Sequence, residues 1–422
     1  MKQCVALVAW VMFVGSALVA AEPSGSSPWP QFRGPTGQGI VEGKLPTSWG
    51  EGKNVAWKTP IPGKGWSSPV IAAGKAWVTT AVSDKGGPVS FRVLGIDLQT
   101  GEVKHDVELF ASAKGPSLHA RNTAASPTPV VVGDRIIASF GGDGVGCVDA
   151  KSGEVLWKNN EFRVNYMTGP ASSPAPYKDM VIIPCDGADA QFAVALDAAT
   201  GKQRWKKERP IAATRKSLDE RRAFSSPLII TVGKQDQVVM PGSHCVYSYD
   251  PNTGDELWRV RYTGFSNVPR PVFAYDLVFL TSGFGNHEMM AIRPDGKGDV
   301  TDTHIAWKQK KGIPNIPSPA IVGDRMYLIG DKGVLSCLDI KTGVQKWTER
   351  ISGSFSASPM VVGNTIYAFS DEGSAILFEA GDEFKQLGRN ELTGRIQASP
   401  AVVDGSLILR TDTNLYRIGE TK

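Results

Sequence analysis

The residues best able to do chemistry in this 422-residue chain are charged and amide side chains scattered singly through Gly- and Pro-rich stretches. The densest run is His119-Ala120-Arg121-Asn122; Asp143, Tyr166, Asp186, Arg222, Arg270, Asn315 and Arg395 follow at wide intervals. In an enzyme, Asp186 or Asp143 would be the candidate base. Asp186-Gly187-Ala188-Asp189 is only superficially like a calcium loop, because the alternating oxygen ligands and the distant glutamate are missing. No nucleophile elbow, HExxH or strand-leading GxGxxG occurs, and Gly141-Gly142-Asp143-Gly144 reads as a turn. Serine precedes proline too regularly for any one of these serines to be a nucleophile.

Composition narrows the classes further. Lysine and arginine number 46 against 42 acidic residues, too even a balance for a phosphate backbone to attract, so nucleic acid is not expected as a partner. Cys147, Cys185, Cys245 and Cys337 stand far apart with no CxxC. Cys147 and Cys337 share one place in their repeats and suit burial in a strand; Cys185 and Cys245 could meet across neighbouring repeats or stay apart.

The elements that must position these groups are repeats. An aspartate, a glycine four residues on and a tryptophan four beyond recur as Asp149-Gly153-Trp157, Asp197-Gly201-Trp205, Asp250-Gly254-Trp258 and Asp339-Gly343-Trp347. His105 takes the aromatic place in the first repeat, and the fifth has an insertion near Asp295 before Trp307. Aspartate bonds the turn backbone and glycine takes positive φ, closing a hairpin between third and fourth strands. A second mark, Ser-Pro, opens the first strand at Ser68, Ser126, Ser173, Ser226, Ser318, Ser358 and Ser399, with Arg270-Pro271 standing in once. Proline suits an innermost strand whose one edge faces an axis. These marks predict an all-β, eight-bladed propeller of four-stranded antiparallel blades. The last repeat stops after three strands, and NVAWKT at 54–59 is expected to supply the fourth and close the ring.

Residues 1–21 carry Lys2, an apolar run from Val5 to Phe13 and small residues to Ala21, the pattern of a secretory signal cleaved before Glu22, with a retained anchor as the alternative. Cys4 precedes the apolar run and is badly placed for lipid attachment, so a soluble periplasmic or extracellular chain is expected. Residues 22–53, with WPQFRGP at 29–35, read as a segment docking on the body, and 54–422 as one propeller.

In such blades the loop entering the first strand and the turn between second and third strands share a face. That face is predicted to carry His119, Arg121, Asn122, Tyr166, Asp186, Arg222, Arg270, Asn315 and Arg395, with Arg121 beside Asp186. Trp66 could stack a flat ligand near the axis. The competing use of these charges is to pair across blades and satisfy channel-facing backbone groups.

The segments DAKSGEVLW, DAATGKQRW, DPNTGDELW and DIKTGVQKW, together with the Ser-Pro strand starts, resemble the pyrroloquinoline-quinone-type repeat propellers over about residues 54–419. WPQFRGP, SASPMVVGNTIYAFSDEG and ASPAVVDGSLILRTD are similar to an exported bacterial group within them. The resemblance implies one of two functions. One is a dehydrogenase for alcohols or sugars, holding pyrroloquinoline quinone and calcium at the axis, with an aspartate as base. The other is the cofactor-free propeller lipoprotein of the outer-membrane β-barrel assembly machine. The chain lacks the adjacent cysteines of the alcohol enzymes, and no calcium-binding set matches residue by residue. The reading is therefore a monomeric, exported binding or scaffold propeller without catalysis, cofactor or metal, recognising a cell-envelope protein or a polar ligand. The alternatives are a quinone-dependent dehydrogenase and a polysaccharide-binding propeller.

Overall fold

A computed structural model describes residues 28–83 and 87–419. Eight sheets follow one another around an axis. Blade 1 runs from Val70–Ala72 to Val103–Ser112, blade 2 from Val130–Val132 to Val155–Asn159, and blade 3 from Ala175–Tyr177 to Gln203–Glu208. Blade 4 spans Leu228–Val232 to Glu256–Arg261, blade 5 Val272–Ala274 to Ile305–Gln309, and blade 6 Ala320–Val322 to Gln345–Arg350. Blade 7 spans Met360–Val362 to Lys385–Glu391. Blade 8 has Ala401–Val403, Ser406–Arg410 and Asn414–Ile418, and Val55–Pro60 pairs with the last of these as its outermost strand, Thr59 opposite Leu415. The predicted ring closure is thus present. Two blades exceed four strands: Ile40–Val41 adds in parallel to the inner strand of blade 7, and Gly298–Asp299, from the blade 5 insertion, adds to the outer strand of blade 4.

The Asp-Gly-Trp signature does more than turn a hairpin. Asp149 Oδ1 accepts the N–H groups of Lys151 and Ser152 (both 2.8 Å), and Gly153 turns the chain at φ 75°. Five tryptophans then staple one blade to the next. Trp157 Nε1 donates to Ala198 O (3.0 Å), Trp205 to Pro251 O (3.0 Å), Trp307 to Ile340 O (3.1 Å), Trp347 to Gly381 O (3.0 Å), and Trp57 to Leu98 O across the closure (2.8 Å). Blade 5 lacks the regular hairpin, so Trp258 donates instead to Gln237 Oε1 (2.8 Å), whose amide reaches Pro294 O (3.0 Å). His105 stacks on Trp77, ring centroids 5.4 Å apart, and covers Gly153 as the tryptophans cover their glycines. The hydrophobic core accordingly lies between neighbouring blades.

Cys147, Cys185, Cys245 and Cys337 are buried and unpaired, so Cys185 and Cys245 do not bridge. Burial pushes the thiols of Cys147 and Cys245 up to about 12, which leaves them inert.

Residues 29–41 cross the axial channel and cap the inward edges of the first strands. Ile71 N–H donates to Trp29 O (2.9 Å), Val131 N–H to Pro30 O (2.8 Å), Val361 N–H to Gly39 O (2.8 Å) and Phe273 N–H to Gln38 Oε1 (2.7 Å). These donors would otherwise face the axis without a strand partner.

Candidate functional site: an axial cup

Two residues before the first strand of seven blades a side-chain hydroxyl lies at the axis, and Arg270 takes that place in blade 5. Ser68 N–H donates to Thr128 Oγ1 (3.0 Å), Thr128 N–H to Ser173 Oγ (3.0 Å) and Ser173 N–H to Ser226 Oγ (2.9 Å). On the other side Arg270 N–H donates to Ser318 Oγ (3.0 Å), Ser318 N–H to Ser358 Oγ (3.0 Å) and Ser358 N–H to Ser399 Oγ (2.9 Å). The hydroxyls of Thr128, Ser173, Ser226, Ser318, Ser358 and Ser399 each accept an N–H from the neighbouring blade, so their own protons are left for other acceptors. The girdle corrects one reading of the sequence. In blade 2 the position belongs to Thr128-Pro129, because the strand starts at Val130, two residues later than Ser126-Pro127 implied.

Above residues 29–41 the girdle lines a cavity of about 460 Å³, with Phe32 among its walls. Trp66, Phe224, Phe265 and Phe284 add aromatic surface. Of the side chains singled out from sequence, His119, Arg121, Asn122 and Arg222 reach this cup. The Asn122 amide donates to Thr168 O (2.9 Å) and Pro170 O (3.2 Å), tying the loop entering blade 2 to the next. Arg222 donates to Tyr166 O (3.0 Å) and Thr168 Oγ1 (2.8 Å) and pairs with Asp219. Arg121 does not sit beside Asp186. Its loop carries it over the mouth to Asp331 Oδ2 (3.4 Å) and Ser356 Oγ (3.3 Å) on the far side.

The other expected residues lie elsewhere. Asp186 is 2% exposed and ion-paired with the equally buried Arg209, which also donates to Met240 O (2.6 Å). Burial pushes the Asp186 carboxyl up while the Arg209 guanidinium beside it restrains the rise. Asp143 and Tyr166 line a separate hollow of about 290 Å³ with Arg163. Burial pushes the Asp143 carboxyl up, against the pull of Arg163. Tyr166 belongs to the core between blades 2 and 3. Arg270 turns down onto residues 31–32. Asn315 and Arg395 line a broad hollow next to the cup, with Arg121 between the two. Several face carboxylates cap loop N–H groups of their own blade: Asp189 accepts from Asn165 (2.8 Å), Asp331 from Asn315 (3.0 Å) and Asp412 from Arg395 (3.0 Å). The aspartate of the calcium-like loop therefore has a structural use. Sequence reasoning missed Phe32, Phe224, Phe265 and Phe284. The aromatic two residues before Ser226 was a legible signal; Phe32 was not, since its place depends on where the segment lies.

The calcium implied by the resemblance finds no carboxylate set among these residues. Among the described residues no three His, Cys, Asp or Glu side chains converge to hold a metal. Asp219, on the cup wall, is engaged by Arg222. The model of the family described as outer membrane protein assembly factor BamB matches residues 58–183 and 189–421. The chain belongs to this family. No described helix is long and apolar enough to cross a membrane. The outer membrane protein assembly factor BamB of Burkholderia pseudomallei (strain K96243) is 35% identical over 114 residues, 26% of this chain and 29% of that protein. The chain thus matches under a third of that relative's length. BamB of Bordetella pertussis (strain Tohama I) is 24% identical over 288 residues, 65% and 67% of the two chains. The crystal structure of quinohemoprotein alcohol dehydrogenase from Comamonas testosteroni superposes with a TM-score of 0.65 over 93% of this chain and 81% of that one, at 13% identity, a likeness of fold alone.

Proposed function

We propose that the cup face receives an extended segment of a cell-envelope protein and that the chain works as a scaffold without covalent chemistry. The observation that carries this reading is the composition of the cup. Hydroxyl protons suit the carbonyls of an inserted chain, the phenylalanines suit its apolar side chains, and both rim arginines already have carboxylate partners. No carboxylate there is free to act as a base, and Asp186 and Asp143 lie outside the cup. Membership of the assembly-factor family supplies the class of partner, an envelope protein.

The test places a photo-crosslinking amino acid at His119, on the cup rim, and at Lys151, on a hairpin of the opposite face, in the exported chain. The expected result is one envelope protein joined through position 119, not through 151, and lost when Phe284 and Trp66 are both replaced by alanine. Equal crosslinking from both faces would overturn the proposal. So would saturable dye reduction with alcohols or sugars after adding the quinone and calcium, or loss of the crosslink when an oligosaccharide is present before irradiation.

A further inference from the structure

Below the cup, two guanidinium groups are buried together without a carboxylate. Arg33, on the channel-crossing segment, and Arg270, at the entry to blade 5, are 2% and 1% exposed. Arg33 Nη2 donates to Pro319 O (2.8 Å) and Pro359 O (3.4 Å). Arg270 donates through Nη1 to Phe32 O (2.5 Å), the carbonyl next to Arg33, and through Nη2 to Gln31 Oε1 (2.8 Å). All four acceptors are uncharged. Arg33 Nε, Arg33 Nη1 and Arg270 Nε have no partner among the described residues. Arg209, buried as deeply, has Asp186.

The pairing is what sets this place apart. Arg410 is also buried on neutral oxygens, those of Ser67 and Thr79, with one orphaned N–H and no second guanidinium acting on it. At the channel base the charge of Arg270 acts on Arg33, whose neighbour Phe32 accepts from Arg270 through its carbonyl. Burial pushes both groups down to about 9, and Arg270 adds its repulsion at Arg33. A guanidinium keeps its proton at neutral pH even so, and the two charges remain to be neutralised. Two glycines bring backbone against the pair. A Cβ on Gly37 would lie 2.5 Å from Arg270 Cζ, and one on Gly39 3.1 Å from Arg33 Nε. That close approach limits a guest to a few atoms.

We propose that a small inorganic anion of halide size binds between Arg33 and Arg270, accepting from the orphaned N–H groups and joining the N-terminal segment to blade 5. Such an ion acts as a structural counter-charge, independent of what the cup receives. The experiment uses the exported chain in gluconate buffer, an anion too large for the site, titrated with bromide at constant ionic strength. A saturable rise in the unfolding midpoint of about 2–4 °C is expected. It should vanish in Arg33→Met and persist in Arg410→Met. Crystals grown with bromide should show an anomalous peak within hydrogen-bonding distance of both guanidiniums. If Arg33→Met fails to fold, that peak decides. A rise that survives Arg33→Met, a midpoint indifferent to bromide, or crystals with no peak between the two side chains would overturn the proposal.

Discussion

Gly201 has two reasons to be glycine, one local and one not. Its φ of 70° is the left-handed conformation the hairpin requires, and a Cβ would fall 2.4 Å from the ring of Trp157 in the preceding blade. Gly233, at φ 61°, has open space where its Cβ would be. Gly233→Ala should therefore cost only the backbone strain, about 1–2 kcal/mol. Gly201→Ala should cost about 2–5 kcal/mol, because the tryptophan must also move. Urea denaturation of the two variants measures the difference; equal losses would remove the inter-blade role given to this glycine. At this scale the hairpin was legible in the spacing, whereas the tryptophan's partner was not. Trp157 acts on a residue 41 positions away, at Ala198. Asp186 misled for the same reason: an aspartate in a turn looks available until the fold supplies Arg209.

Among the elements, Val55–Pro60 bears most on whether the ring stays shut, since it pairs the start of the propeller with its last blade as a full strand, beside the side-chain bonds of Arg410 and Arg417 to blade 1. Trp57 fixes it to blade 1, and Glu51 lies alongside, bonded by Lys58 Nζ (2.9 Å), Thr393 N–H (2.8 Å) and the Tyr416 hydroxyl (3.2 Å). Trp57→Ala removes a buried ring and its hydrogen bond and should cost about 3–5 kcal/mol. The open edge it favours should make blade 8 the first site of limited proteolysis, with cuts between 401 and 419. Cleavage that begins in blades 2 to 4 would contradict this account. The closing strand was readable because the last repeat ends one strand short. The parallel additions at Ile40–Val41 and Gly298–Asp299 have no comparable signal, being two residues long and selected by the edge they meet.

For the whole molecule, acid is the revealing variable. Hydrogen bonds within their own turns hold the hairpin carboxyls below the ordinary aspartate value: chiefly the Thr100 N–H for Asp97, the Ser152 N–H for Asp149 and the Thr342 hydroxyl for Asp339. Glu51 is held down to about 2, chiefly by Lys58. A depressed folded value means that these groups add stability above the unfolded value near 4 and lose it as pH falls through the folded one. The urea midpoint should therefore be flat from pH 7 to 5 on their account and drop steeply from pH 4 to 2. Replacing Asp97, Asp149 and Asp339 by asparagine should flatten the drop. An unchanged slope would show that the hairpin carboxylates contribute nothing to it.

From the sequence alone came the all-β architecture, the number of blades, the closing strand and the face on which polar loops gather. Each follows from a local rule repeated many times: a proline where an edge is free, an aspartate and a glycine where a hairpin turns. Only the tertiary structure decided which polar residues share a space. Arg121 crosses the mouth to Asp331, Asp186 is taken by Arg209, and residues 29–41 pass through the channel with Arg33 against Arg270. Those outcomes depend on distances between different segments, 23 residues apart for Asp186 and Arg209 and 210 for Arg121 and Asp331, and spacing along the chain does not encode such distances.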